Sequence, residues 1–268
     1  MATQKGSTII KDLAELKAIL VIGTQATGKT SFLHQVLISL LLKKHPSQIK
    51  LILADIKGIE FQVYSQLEKH FLATLPGKEN SIIESYDRLI HTLNALCIEM
   101  ENRYELFKEA SSRNIKEYNT KFIERKLDPR KGHQYLPFII ITIDDLGTFS
   151  LKGEKELNLP LQKLVNDGYK AGIFTIISTS QFIGHALLAT LLSLIARRVV
   201  FNLNNKNDYR RFFDTLKLKT YLQLGEFLYA NNNEIHSENS ILFDLFFPFE
   251  EPLSINVDFS TVFSRRKL

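Results

Sequence analysis

Residues 18–30 read AILVIGTQATGKT. The five apolar residues Ala18 to Ile22 predict a buried strand. Beyond the loop, Phe32, Leu33, Val36, Leu37, Leu40 and Leu41 recur at three- and four-residue spacing. That period predicts an amphipathic helix from Thr30 to about Lys43, stopped at Pro46. Between strand and helix lies Gly23-x4-Gly28-Lys29-Thr30, the pattern of a phosphate-binding loop in the context it requires. Glycines permit the tight wrap, successive backbone N–H groups then face a phosphate chain, and the positive end of the helix reinforces them. Gly23, Thr24, Gln25, Ala26, Thr27, Gly28, Lys29, Thr30 and Ser31 are therefore expected to hold a nucleotide. Lys29 is expected to reach the β- and γ-phosphates, and Thr30 to ligate Mg²⁺.

Elements alternate along the rest of the chain. LILAD (51–55) is a second strand ending in a carboxylate. From Ser81 onward Ile82, Tyr86, Leu89, Leu93, Leu96, Met100 and Phe107 trace one long helical stripe. LDPRKGHQ (127–134) is turn-rich and basic, the composition of a surface loop. FIIITIDD (138–145) is apolar on both faces and predicts a central strand covered on both sides. GIFTIIST (172–179) and RVVFNL (198–203) are two more strands, and after Tyr229 the pattern changes to short β-like pieces. Strands separated by helices imply an α/β fold with a largely parallel central sheet flanked by helices. The expected organisation is a lead-in over 1–14, a main α/β domain over 15–235, and an extension over 236–268 packed on or beside it. That extension carries the aromatic, acidic stretch ILFDLFFPFEEP (241–252).

The chain has 268 residues, 44% hydrophobic and 24% charged, enough to bury a sizeable core without expecting disorder over most of its length. Its apolar runs are too short to span a bilayer, and the N-terminus has no secretory pattern. The single cysteine, Cys97, lies in the apolar stripe of the long helix and reads as core. These features fit a soluble cytoplasmic protein. The net charge of +5 is compatible with a nucleic-acid partner without requiring one.

A metal-side acid should close a strand near the phosphate loop, and Asp144, ending FIIITID, has the Walker B arrangement. Asp145 beside it is placed to orient an attacking water, although it is one methylene shorter than a Glu. Asp55 also ends a strand, and hydrogen bonding at the sheet end is as good a reading for it as catalysis. The charges Arg103, Lys108, Arg113 and Lys116 on the long helix read as a solvated face rather than a DNA track.

The order of these motifs resembles the motor domain of the FtsK/SpoIIIE DNA translocases. The resemblance runs through the phosphate loop, the strand ending in Asp-x-Lys, IEMENRYELFKEASSRNIKEYN (98–119), FIIITIDD, AGIFTIISTS (171–180), NNKNDYRRFFD (204–214) and LQLGEFLYA (222–230). It covers roughly residues 15 to 235. It implies a RecA-like P-loop fold that binds ATP and Mg²⁺ and forms a ring, usually a hexamer, around double-stranded DNA, moving it by hydrolysis. Thr179 would then sense the γ-phosphate, and Lys206 and Arg210 would face the DNA backbone.

The chain departs from the family pattern at several places. Asp145 replaces the usual Glu, Ser180 a sensor Gln, and Gln181 and Leu192 two basic pore positions. Tyr169 stands where the family has an Arg that acts on a neighbour's nucleotide, with Lys170 adjacent. Neither an N-terminal membrane block nor a winged-helix module after residue 235 is recognisable, so loading is expected to need a membrane-anchored or DNA-loading partner. The departures keep two alternatives open: a type VII secretion-like protein-export ATPase, and a nucleotide-binding assembly subunit with little turnover.

Overall fold

The computed structural model describes residues 9–12, 17–75, 80–150, 154–180, 185–203, 222, 227–231, 234–238 and 241–244. Its strands are β1 (Ile9–Asp12), β2 (Ala18–Ile22), β3 (Ile49–Asp55), β4 (Phe138–Asp144), β5 (Ile173–Thr179), β6 (Arg197–Val200), β7 (Phe227–Asn231), β8 (Glu234–Glu238) and β9 (Ile241–Asp244). The helices are α1 (Lys29–Lys43), α2 (Tyr86–Glu109), α3 (Ile115–Ile123), α4 (Leu146–Ser150), α5 (Glu154–Asp167) and α6 (His185–Leu194).

Among the described residues one sheet has the order β3-β4-β5-β2-β6-β7-β8. The five strands from β3 to β6 are parallel, and β7 and β8 add an antiparallel margin. Every residue of β2, β4 and β5 is buried, as strands covered by helices on both faces must be. This is the largely parallel α/β architecture expected from the alternating pattern. The order inserts β5 between the phosphate-loop strand β2 and the carboxylate strand β4, so the C-terminal ends of three strands meet.

Several boundaries differ from the sequence expectation, and two of the differences have a visible cause. The long helix starts at Tyr86, not Ser81, because residues 81–85 have another use. Ile83 N donates to Leu53 O and Asp55 N donates to Ile83 O, which covers the outer edge of β3. Ser85 then caps the helix, its hydroxyl accepting from Arg88 N. β6 ends at Val200 rather than continuing through Leu203. Beyond it Phe201 N still bonds to Ile22 O, and Asn202 O is taken by the phosphate loop.

Arg103 corrects the reading of a solvated charge row. Its side chain is 2% exposed, and its guanidinium donates to Pro137 O and Ala171 O at 2.9 Å each and to Glu99 Oε1 at 2.7 Å. It ties α2 to the segments that lead into β4 and β5. Lys108 remains exposed on α2, paired with Glu105. But α2 ends at Glu109, so Arg113 lies in the turn beyond it, exposed and paired with Glu117, and Lys116 lies on α3 rather than on the long helix. Cys97 is buried with its thiol near Pro160 O of α5, the core role expected for it.

The N- and C-terminal strands form a separate parallel pair, with Ile9 opposite Ile241 and Asp12 opposite Asp244. β9 lies beside α1. No helix among the described residues is long and apolar enough to cross a membrane.

Replacing Arg103 by Ala leaves two buried carbonyls without donors and should lower stability by about 3 kcal/mol, read as a shift in the urea midpoint. Arg103→Lys should recover less than half of that loss, because an ammonium cannot reproduce the fork that bridges both carbonyls.

Candidate functional site

The phosphate loop leaves β2 and closes on α1 with backbone that its sequence permits. Gly28 has φ 112°, a left-handed conformation, and caps α1 without a side chain. The first-turn N–H groups of α1 are thus left open for an anion. At Gly23 an added Cβ would stand 2.7 Å from Phe201 Cβ and 2.8 Å from Thr27 Oγ1, so the close approach of the 201–203 segment requires glycine. That segment anchors the loop, since Thr24 N and Thr24 Oγ1 both donate to Asn202 O at 3.1 Å. Thr27 Oγ1 and Lys29 Nζ donate to Thr24 O, at 2.8 and 2.6 Å. Burial depresses the Lys29 ammonium, while the charges of Asp145 and Asp144 partly restore it. A phosphate would supply the anionic partner that this buried lysine favours.

Gln25 to Phe32 line one side of an open cleft of about 880 Å³ that Lys57, Glu60, Asp144, Asp145 and Ser180 complete. Asp144 is buried and accepts from Ser178 Oγ at 2.5 Å through one oxygen. Burial raises its carboxyl above the ordinary value against that hydrogen bond, and the charges of Asp55, Asp145 and Glu60 add to the rise. A cation beside it would relieve all of these. Among the described residues neither the other Asp144 oxygen nor the Thr30 hydroxyl has a hydrogen-bond partner, so both are free to face an ion. Among the described residues no group of three or more His, Cys, Asp or Glu side chains could hold a metal ion. The donor set therefore fits Mg²⁺, which takes one or two protein oxygens and completes its shell from phosphate and water.

Asp145 has φ 50°, a left-handed conformation that aspartate tolerates better than most residues. Its carboxylate accepts from Ser180 N at 3.1 Å and Ser180 Oγ at 2.8 Å on one oxygen. The other oxygen accepts from Lys57 Nζ at 3.1 Å and Thr148 Oγ1 at 3.0 Å. Burial would raise this carboxyl, but the hydrogen bonds from Ser180, Lys57 and Thr148 outweigh it and hold the group below its ordinary value. Lys57 is raised in turn, chiefly by the same hydrogen bond.

Of the expected site residues, the structure gathers Gln25 through Ser31, Asp144 and Asp145 at one cleft. Thr179 closes β5 one residue before the cleft-lining Ser180, and its carbonyl accepts from Gly23 N at 3.4 Å. Lys206 and Arg210, together with Gln181, lie outside the described residues. Tyr169 and Lys170 precede β5, at the opposite end of the sheet from the cleft, roughly 20 Å away along a seven-residue strand. There the Tyr169 ring is covered by the Lys17 ammonium at 4.6 Å and the Lys170 ammonium at 5.8 Å.

Asp55 is resolved in favour of hydrogen bonding at the sheet end. Its carboxylate accepts from the backbone N–H groups of Lys57, Ile59, Glu60 and Phe61, which folds the turn after β3 around one side chain. Sequence reasoning missed what that turn delivers, Lys57 and Glu60 to the cleft. It also missed Ser178 as the holder of Asp144. The spacing Asp-x-Lys was visible as a motif but carried no partner for the lysine.

The FtsK/SpoIIIE family model matches residues 2–192. A DNA translocase FtsK of Chlorobaculum tepidum is 28% identical over 224 residues, 83% of this chain and 27% of that protein. One of Helicobacter pylori is 29% identical over 84% of this chain and 25% of its own length. The chain thus spans about a quarter of the length of these curated relatives. Among solved structures, the pCW3 conjugation coupling protein TcpA in its monomer form with ATPγS superposes with a TM-score of 0.68 at 21% identity. That match covers 87% of this chain and 62% of TcpA. The cytoplasmic domain of the type VII secretion ATPase EccC of Thermomonospora curvata gives 0.67 at 17%, over 83% of this chain and 25% of its own. Both share the fold of a P-loop ATPase, and on the match over residues 2–192 this chain belongs to the FtsK/SpoIIIE family.

Proposed function

We propose that the chain is an ATP-hydrolysing motor that moves double-stranded DNA, working as a ring of copies, with a hexamer the expected size. The observation that carries this reading is the cleft in which an open helix N-terminus, Lys29, Thr30 and Asp144 converge. That set can bind Mg·ATP and polarise its γ-phosphate. Translocases of DNA among the relatives supply the substrate class. Lys206 and Arg210 are the residues assigned to the DNA backbone, and a cytoplasmic location is part of the proposal.

Within this reading Lys29 holds the β- and γ-phosphates, and Thr30 and Asp144 hold Mg²⁺, which neutralises phosphate charge when bound. Thr179 sits between the phosphate loop and Asp144, where a change at the γ-phosphate reaches the sheet. Since Tyr169 and Lys170 lie far from their own cleft, any part they play is on a neighbour's nucleotide.

The exchange of two basic pore positions for Gln181 and Leu192 favours a second reading, export of a polypeptide. The two are separated by hydrolysis assays with and without long linear duplex DNA. Translocation predicts strong stimulation by DNA, weakening as salt rises because phosphate contacts release counterions. Lys29→Ala should abolish both basal and stimulated turnover, a loss of at least about 10²-fold. Hydrolysis indifferent to DNA overturns the DNA reading in favour of export. Tight ATP binding without turnover leaves the nucleotide-gated assembly subunit.

The metal assignment has its own test. Chelation of Mg²⁺ should stop turnover, and Asp144→Asn should lower it by at least about 10²-fold even at saturating Mg²⁺. The same variant should need more Mg²⁺ to bind a fluorescent ATP analogue.

A further inference from the structure

Three carboxylates line the cleft: Asp144, Asp145 and Glu60. An aspartate after the Walker B acid invites the assumption that Asp145 orients the attacking water. Its hydrogen bonding argues otherwise. A carboxylate offers about four acceptor sites, and at Asp145 all four are taken, by Lys57, Thr148 and two donors of Ser180. Two of those donors are a backbone N–H and an ammonium, which a water displaces only at the cost of charge-assisted bonds. Asp144 has an oxygen without a hydrogen-bond partner among the described residues, but that oxygen is the one that would hold the metal.

Glu60 differs from both. Its carboxylate has no hydrogen bond or ion pair among the described residues. It is half-buried and carries the extra methylene that Asp145 lacks. Its backbone is held by Asp55, whose Oδ2 accepts from Glu60 N at 2.8 Å, so the side chain is delivered from a stiff turn. It lies close enough to Asp144 for its charge to act there. The Asp55 turn thus brings two groups to the cleft three residues apart, Lys57 to clamp Asp145 and Glu60 with its oxygens uncommitted.

Resting on the ATP-hydrolysing reading above, we propose that Glu60 is the carboxylate that orients and deprotonates the attacking water, and that Asp145 is a positioning residue held by Lys57 and Ser180. Water attacks the γ-phosphorus as the bond from that phosphorus to the β–γ bridging oxygen breaks, and ADP leaves with the bond's electron pair. The proton lost by the water passes to Glu60 and from there to solvent, leaving inorganic phosphate. No co-reactant beyond ATP and water is required.

The test uses the full chain with Mg·ATP and duplex DNA. Glu60→Gln keeps shape and removes basicity. It should lower kcat by about 10² to 10⁴-fold while the affinity for Mg·ATP changes by no more than about twofold. In acid-quenched single turnovers its bound nucleotide should remain ATP, and its thermal midpoint should match the unsubstituted chain. Glu60→Asp, which keeps the charge but withdraws it by a methylene, should lose at least about tenfold in kcat. Asp145→Asn should lose less than Glu60→Gln. The proposal is overturned if Glu60→Gln hydrolyses ATP at the unsubstituted rate while Lys29→Ala is inactive, or if Asp145→Asn is the variant that traps uncleaved ATP. Absence of hydrolysis by the unsubstituted chain, with or without DNA, would instead overturn the hydrolytic reading itself and this assignment with it.

Discussion

Two residues at the end of β5 hold the ligand end of the sheet together. Ser178 donates its hydroxyl to Asp144 and accepts the backbone N–H of Asp145, a two-way use that only a hydroxyl permits at this size. Its neighbour Thr179 accepts Gly23 N through its carbonyl. One strand therefore sets the separation between the phosphate loop and the carboxylates that must act on the same ligand. A slip of β5 by one residue would turn Ser178 to the other face and leave Asp144 buried without its donor. The register is secured by long apolar pairings on either side, with Ile140 opposite Phe174 and Ile19 opposite Ile176.

Two of the cleft's residues adopt left-handed backbone. Ala26 and Asp145 have φ values of 57° and 50°, each costing on the order of 1–2 kcal/mol for a residue with a Cβ. Both lie at the mouth of the site, where the chain must reverse to aim N–H groups or a carboxylate inward. The turn after β3 reaches a comparable sharpness by another route. Asp55 gathers four backbone donors on one carboxylate, so the turn is stiffened by charge-assisted hydrogen bonds instead of by unusual dihedrals over most of its length.

What was legible in the sequence was what is local. The strand–loop–helix around GTQATGKT and the apolar run ending in Asp144 announce themselves within a dozen residues, because period and capping act over that range. The clamp on Asp145 joins residues 88 positions apart, and no local pattern encodes it. Arg103 was misassigned although a signal existed: it stands three residues after Met100 and four before Phe107, on the buried stripe itself. Its charge suggests solvent, but its position on the stripe decides its burial. α5 was not anticipated because Pro160 lies inside it, and α6 because HALLATLLSL is too evenly apolar to show a period. The start of α2 was placed early because Ile82 fits the helical stripe, while its backbone is spent sealing the edge of β3.

The pairing of β1 with β9 has a mechanical side. The two strands come from near opposite ends of the chain and run parallel. Tension between the segment before Ile9 and the segment after Asp244 would pull them in opposite directions along their length. That is a shearing load, which strains all the cross-strand hydrogen bonds together instead of opening them one after another. A short ribbon loaded this way resists far more force than the same bonds peeled singly. A pull between those two segments therefore falls on the β1–β9 bonds before it reaches the seven-stranded sheet.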